Sequence, residues 1–239
     1  MPQRRRLIRF AHRGASALAP ENTLAAFQEA VDRGCDWIET DVRLTSDLVP
    51  VLIHDETVDR TTDGRGAVGR LTLRRILRLD AGSWFGRPFR EERIPTLDEA
   101  LEWSRGRCAL NLELKEEERG EEAIDRITRR VLAHEAAGRV LFSSFRAADL
   151  LRIRSALPRA RLAWLVSRGC RGLQPLDREA RLSALHPKDS LVTPRLARRC
   201  RRMGLAVHVW VVNRRGRLAQ LGALGVEGVM TDDPRIFEP

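Results

Sequence analysis

The 239-residue chain has no apolar run approaching the ~20 residues that a membrane-spanning helix needs. It has no Cys-x-x-Cys pair. Cys35, Cys108, Cys170 and Cys200 are scattered, which reads as four reduced thiols and argues against zinc. Only Met1 to Arg6 precede the first apolar residues, too few for a signal peptide with an apolar core, so a cytoplasmic location is expected. No Gly-x-Gly-x-x-Gly follows the first expected strand, which weighs against a dinucleotide-binding sheet. The net charge is +10, carried almost wholly by Arg. Read along the chain, the Arg residues are interleaved with Asp and Glu, and no basic segment carries the aromatics of a stacking platform. Neither a nucleic-acid partner nor stable membrane association is expected. Anionic substrates are attracted in either case, and the oligomeric state is left open.

What the sequence does hold is centred on Trp37-Ile38-Glu39-Thr40-Asp41-Val42-Arg43-Leu44. Aromatic and β-branched residues mark it as a strand, and alternation puts Glu39 and Asp41 on one face. Two buried carboxylates side by side are costly unless a positive group lies between them. A hard divalent cation with oxygen ligands is one such group and an arginine is another. Before this strand, Leu7 to Ala11 forms a short apolar run that ends at His12-Arg13-Gly14, and Thr23 to Arg33 reads as a capped helix stopped by Gly34. After it, Pro50 to Ile53 returns too soon for a parallel crossover and must be an antiparallel hairpin arm, ending in His54-Asp55. Residues 45–95, rich in Gly, Thr and Arg with one short amphipathic segment near Leu71 to Leu79, read as an insertion.

Regular alternation follows. Strands are expected over Cys108–Lys115, Val140–Ser143, Arg161–Val166, Leu182–His186, Ala206–Val212 and Gly228–Met230. Helices are expected over Thr96–Ser104, Glu121–His134, Ala147–Ala156, Leu176–Arg181, Pro194–Met203 and Arg214–Leu224. With the hairpin arm set aside, eight strand–helix units in one chain of this length have the rhythm of an α/β TIM (β/α)8 barrel, here a single domain with an insertion after the second strand. A doubly wound sheet is the alternative.

Barrel sites sit at the C-terminal ends of the strands. In this parse those ends hold His12 and Arg13, Glu39 and Asp41, Glu113 and Lys115, His186, Trp210 with Asn213, and Thr231 with Asp232. Glu39, Asp41 and Glu113 are enough carboxylates to supply half of a hard cation's shell. Arg13 and Lys115 suit a phosphate, and His12 and His54 titrate near neutral pH. His186 is divided between substrate contact and structure, and Trp210 is read as a wall of the substrate pocket. His208, inside an apolar strand, reads as packing and His134 as a surface residue. Glu21 is expected to orient the His12 loop. Trp84 and Phe85 are expected to form the insertion's own small core.

With these residues in view, the chain resembles the glycerophosphodiester phosphodiesterase family. The matching pieces are His12-Arg13-Gly14, Pro20-Glu21-Asn22-Thr23, Glu39-x-Asp41, His54-Asp55, Arg60-Thr61-Thr62-Asp63-Gly64, Ile94-Pro95-Thr96-Leu97, Glu113-x-Lys115, Trp210-x-x-Asn213 and Thr231-Asp232, in the family's order. The resemblance implies a TIM barrel and a small-molecule glycerophosphodiester substrate. It implies His12 and His54 as an acid/base pair, and Glu39, Asp41 and Glu113 as ligands of Ca²⁺ or Mg²⁺. It further implies Arg13 and Lys115 on the phosphate, and attack by the substrate's own 2-hydroxyl. Members commonly carry Gly at Leu48, in the hairpin turn, and Thr at Val211. A lysophospholipase D-like or sphingomyelinase D-like enzyme on the same barrel is one rival, and a nucleic-acid-binding protein on an inactive barrel another.

Overall fold

A computed structural model describes residues 6–115 and 120–238. Residues 1–5, on which the expectation about a leader rests, lie outside it. Strand β1 (Ile8–His12) and helix α1 (Leu24–Asp32) lead to β2 (Trp37–Leu44) and the short arm β3 (Pro50–Leu52). After α2 (Leu73–Ile76) and α3 (Leu97–Trp103), strands and helices alternate. They run β4 (Ala109–Leu114), α4 (Gly120–Ala133), β5 (Val140–Ser144), α5 (Ala147–Ala156), β6 (Arg161–Val166) and α6 (Leu173–Ala180). Then come β7 (Ala184–Pro187), α7 (Pro194–Met203), β8 (Ala206–Val209), α8 (Arg215–Leu224) and β9 (Gly228–Thr231). The strands pair in the order β1-β9-β8-β7-β6-β5-β4-β2, all parallel, and a β1–β2 pairing closes the barrel. β3 is antiparallel to the far end of β2, with Val42 opposite Leu52 and Leu44 opposite Pro50.

Local chemistry sets the helix starts. Thr23 caps α1 by accepting from the Ala26 N–H at 3.3 Å, and Thr96 with Glu99 closes a reciprocal capping box on α3. Pro194 opens α7, where its missing N–H costs nothing. Helix α6 begins three residues earlier than Leu176. Pro175 falls in its first turn, where no intrahelical donor is required. Strand β8 stops at Val209, not Val212. Beyond it the chain leaves the ladder, keeping one bridge from Trp210 to Lys188 while Val212 N donates to the Met230 carbonyl.

The barrel is filled in layers. Trp37, Leu141, Ala163, Ala184 and Ala206 pack at the N-terminal end. Above them Phe10 meets His208, their ring centroids 4.9 Å apart, and Gly228 makes room for both. A Cβ at Gly228 would stand 2.7 Å from His208 and 2.8 Å from Phe10. Outside the barrel, helices bury side chains such as Phe27, each contributing about 1.5–3 kcal/mol.

Between β3 and α3 the excursion has its own aliphatic core of Val51, Ile53, Val58, Val68, Ile76, Leu79, Ala81 and Ile94. Trp84 and Phe85 are not in it. With Phe89 they form an edge-to-face stack at its surface, where Trp84 remains 41% exposed.

The Arg excess is also less even than a reading along the chain suggests. Residues 152–217 hold 17 Lys and Arg against 3 Asp and Glu, and the remainder of the chain holds 26 against 30. Among the described residues no helix is long and apolar enough to cross a membrane.

Candidate active site

The turn after β1 is built around Gly14. Its φ is +80°, and a Cβ there would lie 2.7 Å from the Ala26 backbone, so only glycine lets α1 approach this closely. Arg13 beside it also takes a positive φ, 57°, a sparsely populated state held by its surroundings. In that conformation the Arg13 N–H donates to Glu39 Oε2 at 3.0 Å. Its guanidinium donates to Glu21 Oε1 at 2.9 Å and lies 3.3 Å from Asp41 Oδ2.

Glu39 and Asp41 face into the barrel from β2, Glu113 from β4, and the ladder places Asp41 directly opposite Glu113. Ligand oxygens of the three carboxylates lie within 4.8 Å of one another, all buried. Burial and the neighbouring Asp41 charge push the Glu39 carboxyl up, partly opposed by His12. Glu113 is pushed up for the same two reasons, against Lys115. Asp41 goes the other way. Burial would raise it, but Lys115, Arg13 and His54 outweigh that, helped by the Asn22 amide donating to its Oδ2 at 2.9 Å.

These residues fit a hard cation. Glu39 Oε1, Asp41 Oδ1 and Glu113 Oε1 are buried and accept no hydrogen bond. Lys115 Nζ stands 3.1 Å from Asp41 Oδ1 and touches Glu113 Oε1, close enough to attract yet poorly aligned to donate. Buried anionic oxygens left this way cost several kcal/mol, and an oxygen-seeking divalent ion removes that cost.

The two histidines stand on opposite sides. His12 Nδ1 is 2.6 Å from Asp232 Oδ1, and its Nε2 is 3.9 Å from Glu39 Oε2. Burial lowers the His12 pKa, but Asp232 and Glu39 outweigh it and the net shift is upward. His54 Nδ1 is 2.7 Å from Asp55 Oδ1. Its pKa is lowered, chiefly by burial, with Asp41 and Asp55 opposing. Both rings therefore present Nε2 away from a carboxylate that fixes Nδ1. His12, Arg13, Glu39, His54, Asn111, Glu113, Lys115, Phe145, Leu165, Trp210 and Met230 line one cleft of about 120 Å³. Trp210 is held there by its Nε1–H donating to the His186 carbonyl at 2.7 Å and by an edge contact with Phe145.

His186 is the correction. It has no exposed surface, and its Nε2 is 3.1 Å from His208 Nδ1 in the layer beneath Trp210. It fills the barrel, and the side-chain contact with substrate expected of it is not available. His208, read as packing, is its partner. His134 lies just past α4 and is half-buried against Asp98 at 2.9 Å, so it is not a free surface residue.

Sequence reasoning missed several supports. Asp232 holds His12 and is itself held by Asn213 Nδ2 at 2.6 Å. The first contact joins residues 220 positions apart and the second residues 19 apart, and only their common place at strand ends hinted at them. Asn22 was read as part of a helix start. Its oxygen accepts from Thr40 and from the Asp41 N–H, so it locks the acidic strand. Phe145, 43% exposed, was not singled out.

A closed parallel barrel with buried carboxylates, two carboxylate-fixed histidines and two cations at its C-terminal mouth defines a TIM-barrel protein with a cation-type site. Residues 12–236 match the model of the glycerophosphoryl diester phosphodiesterase family, and the chain belongs to that family. It is 39% identical over 228 residues to a glycerophosphodiester phosphodiesterase of Caldanaerobacter subterraneus, covering 94% of this chain and 93% of that one. It is 37% identical over 242 residues to a putative glycerophosphodiester phosphodiesterase of Bacillus subtilis, covering 94% and 93%. Among solved structures, an Oleispira antarctica phosphodiesterase in complex with the product sn-glycerol-3-phosphate superimposes with a TM-score of 0.90 at 34% identity, covering 95% and 93% of the chains. A glycerophosphodiester phosphodiesterase of Agrobacterium tumefaciens gives 0.83 at 30% identity, covering 97% and 99%.

Proposed function

We propose that this chain is a cytoplasmic, metal-dependent phosphodiesterase that hydrolyses glycerophosphodiesters to glycerol 3-phosphate and an alcohol. The observation that carries the reading is the set of buried carboxylate oxygens of Glu39, Asp41 and Glu113 that accept no hydrogen bond and converge within 4.8 Å, where Glu39 and Glu113 line one cleft with His12, His54, Arg13 and Lys115. Those three carboxylates would hold Ca²⁺ or Mg²⁺, which when bound offsets phosphoryl charge and lowers the pKa of a hydroxyl beside it.

The chain's own residues do the rest. Arg13 and Lys115 hold the phosphate. One histidine takes a proton from the attacking hydroxyl, and the other gives one to the departing alcohol as its P–O bond breaks. Trp210 and Phe145, in edge contact with each other, supply an aromatic wall of the same cleft. Among the described residues, no Ser, Thr or Cys lines the cleft as a protein nucleophile. The glycerol 2-hydroxyl, already held beside the phosphorus, supplies the nucleophile with the effective concentration of an intramolecular attack. This gives a cyclic 1,2-phosphate, which water opens with the histidine roles exchanged.

The test is a coupled assay for released glycerol 3-phosphate over several head groups, including glycerophosphocholine and a lysolipid, with and without chelator. Metal-dependent release from glycerophosphocholine is expected, with little from the lysolipid. Full turnover after exhaustive chelation would overturn the metal dependence. A 2-O-methyl analogue is expected to bind without turning over, and rapid cleavage of it would assign the attack to water.

A further inference from the structure

The excursion between β3 and α3 sends Arg60 back to two carboxylates that hold residues of the cleft. Arg60 Nη1 donates to Glu21 Oε2 at 2.7 Å and Nη2 to Glu21 Oε1 at 2.9 Å. The other edge of the same guanidinium donates to Asp55, Nε to Oδ2 at 2.6 Å and Nη2 to Oδ1 at 3.0 Å. Each of these carboxylates has a second partner in the site. Glu21 Oε1 also accepts from Arg13, and Asp55 Oδ1 also meets His54 Nδ1. We infer that Arg60 is a positioning residue that sets Arg13 and His54 relative to each other, through Glu21 on one side and Asp55 on the other. The inference rests on the proposed phosphodiesterase reading, in which Arg13 binds phosphate and His54 moves a proton.

The geometry favours this role over a merely stabilising one. Arg60 is 45% exposed and Asp55 29%, and ion pairs that wet add little to stability. A planar fork gripping two carboxylates, by contrast, fixes direction strongly. With the fork removed, Glu21 keeps only Arg13 and Asp55 keeps only His54 of the partners described above, and nothing ties the two carboxylates to each other. Arg13 is then free to turn fully onto Glu21, and Asp55 no longer has a fixed orientation from which to hold Nδ1 of His54. Displacements of this size at reacting groups are costly to turnover. The excursion therefore contributes the bracket that spans the mouth, in addition to His54 at its root.

The experiment uses the full chain and glycerophosphocholine with saturating Ca²⁺ or Mg²⁺. Arg60→Gln is expected to keep its far-UV spectrum and to melt within a few degrees of the wild type. Its kcat is expected to fall at least tenfold, with a smaller rise in KM. The ¹⁵N resonances of the His54 ring are expected to shift from a single tautomer toward a mixture. Arg60→Lys keeps the charge and loses the fork. It is expected to recover stability but less than half of kcat, and it reports on the role even where Arg60→Gln folds poorly. A kcat within twofold of wild type in Arg60→Lys, with unchanged His54 resonances, would overturn the inference. Absence of turnover in the wild type would instead sink the phosphodiesterase reading, which keeps the two failures distinct.

Discussion

The two arcs of this barrel treat buried polarity in opposite ways. On the arc of β1, β2 and β4, three carboxylates are buried within reach of one another, with Arg13, Lys115 and two histidines around them. On the arc of β7 and β8, His186 and His208 are buried as deeply but face only each other and Phe10. The first arc keeps charge and must find a counter-charge. The second suppresses it, with burial holding His208 down to about 4 and His186 well below its ordinary value. Burial by itself does not make a site. What separates the arcs is an opening and buried carboxylate oxygens that accept no hydrogen bond.

The sharpest way to break this contrast is to remove the counter-charge. Chelation is expected to abolish turnover, and Glu39→Gln is expected to fold, bind Ca²⁺ weakly by calorimetry, and lose on the order of 10²-fold or more in kcat. Retention of tight Ca²⁺ binding by that variant would remove the distinction between the arcs. His12→Ala and His54→Ala are each expected to cost at least ~10²-fold in kcat, with losses far from additive in the double variant. His134→Ala, measured in parallel, should leave kcat unchanged.

The opposite arc is tested by acid. The folded pKa of His208 lies below its unfolded value, so the unfolded chain binds the extra proton between about 6.5 and about 4. Stability is therefore expected to fall as the pH drops through that window, by on the order of 3 kcal/mol from this ring alone. Urea unfolding across the window should show the loss. The double variant His186→Leu, His208→Met should flatten it while turning over near the wild-type rate at neutral pH. An unchanged slope would mean that the carboxylates, not the histidine pair, govern acid sensitivity.

The smallest effect expected is in the hairpin turn. Leu48 has a φ of 63°, a conformation that costs a side chain with a Cβ roughly 1–2 kcal/mol. Leu48→Gly is expected to raise the melting temperature by a few degrees in thermal denaturation without changing kcat, and an unchanged or lower melting temperature would show that the turn stores no such strain.

Much of this was legible in the sequence because each strand end announces itself. An apolar run followed by a charged pair marks the rim at His12-Arg13, while alternation put Glu39 and Asp41 on one face of β2, where their oxygens meet those of Glu113 from β4 within 4.8 Å. The hairpin followed from connection length alone. His186 stayed divided between substrate contact and structure because alternation tells which face a residue takes, not how deep it lies, and its ring is fully buried against His208. Asp232, Asn22 and Arg60 were in view as strings, but their partnerships depend on closure of the barrel and the return of the excursion. The concentration of Arg in residues 152–217 escaped a scan for runs because it is diffuse, with few acids and not many consecutive cations.

The short ladder between β2 and β3 has a consequence for tolerance to insertion and deletion. Three residue pairs, Val42–Leu52, Arg43–Val51 and Leu44–Pro50, fix where the arm begins, and His54 follows two residues after it ends. Removing or adding one residue in the connecting turn would slide the arm by one place and turn each of its side chains to the other face. His54 would leave the cleft, and the link from Asp55 and Arg60 to Glu21 would be broken with it. Substitutions in this turn are therefore cheap, whereas a change of length by a single residue would disconnect the excursion from the chemistry while leaving the barrel standing.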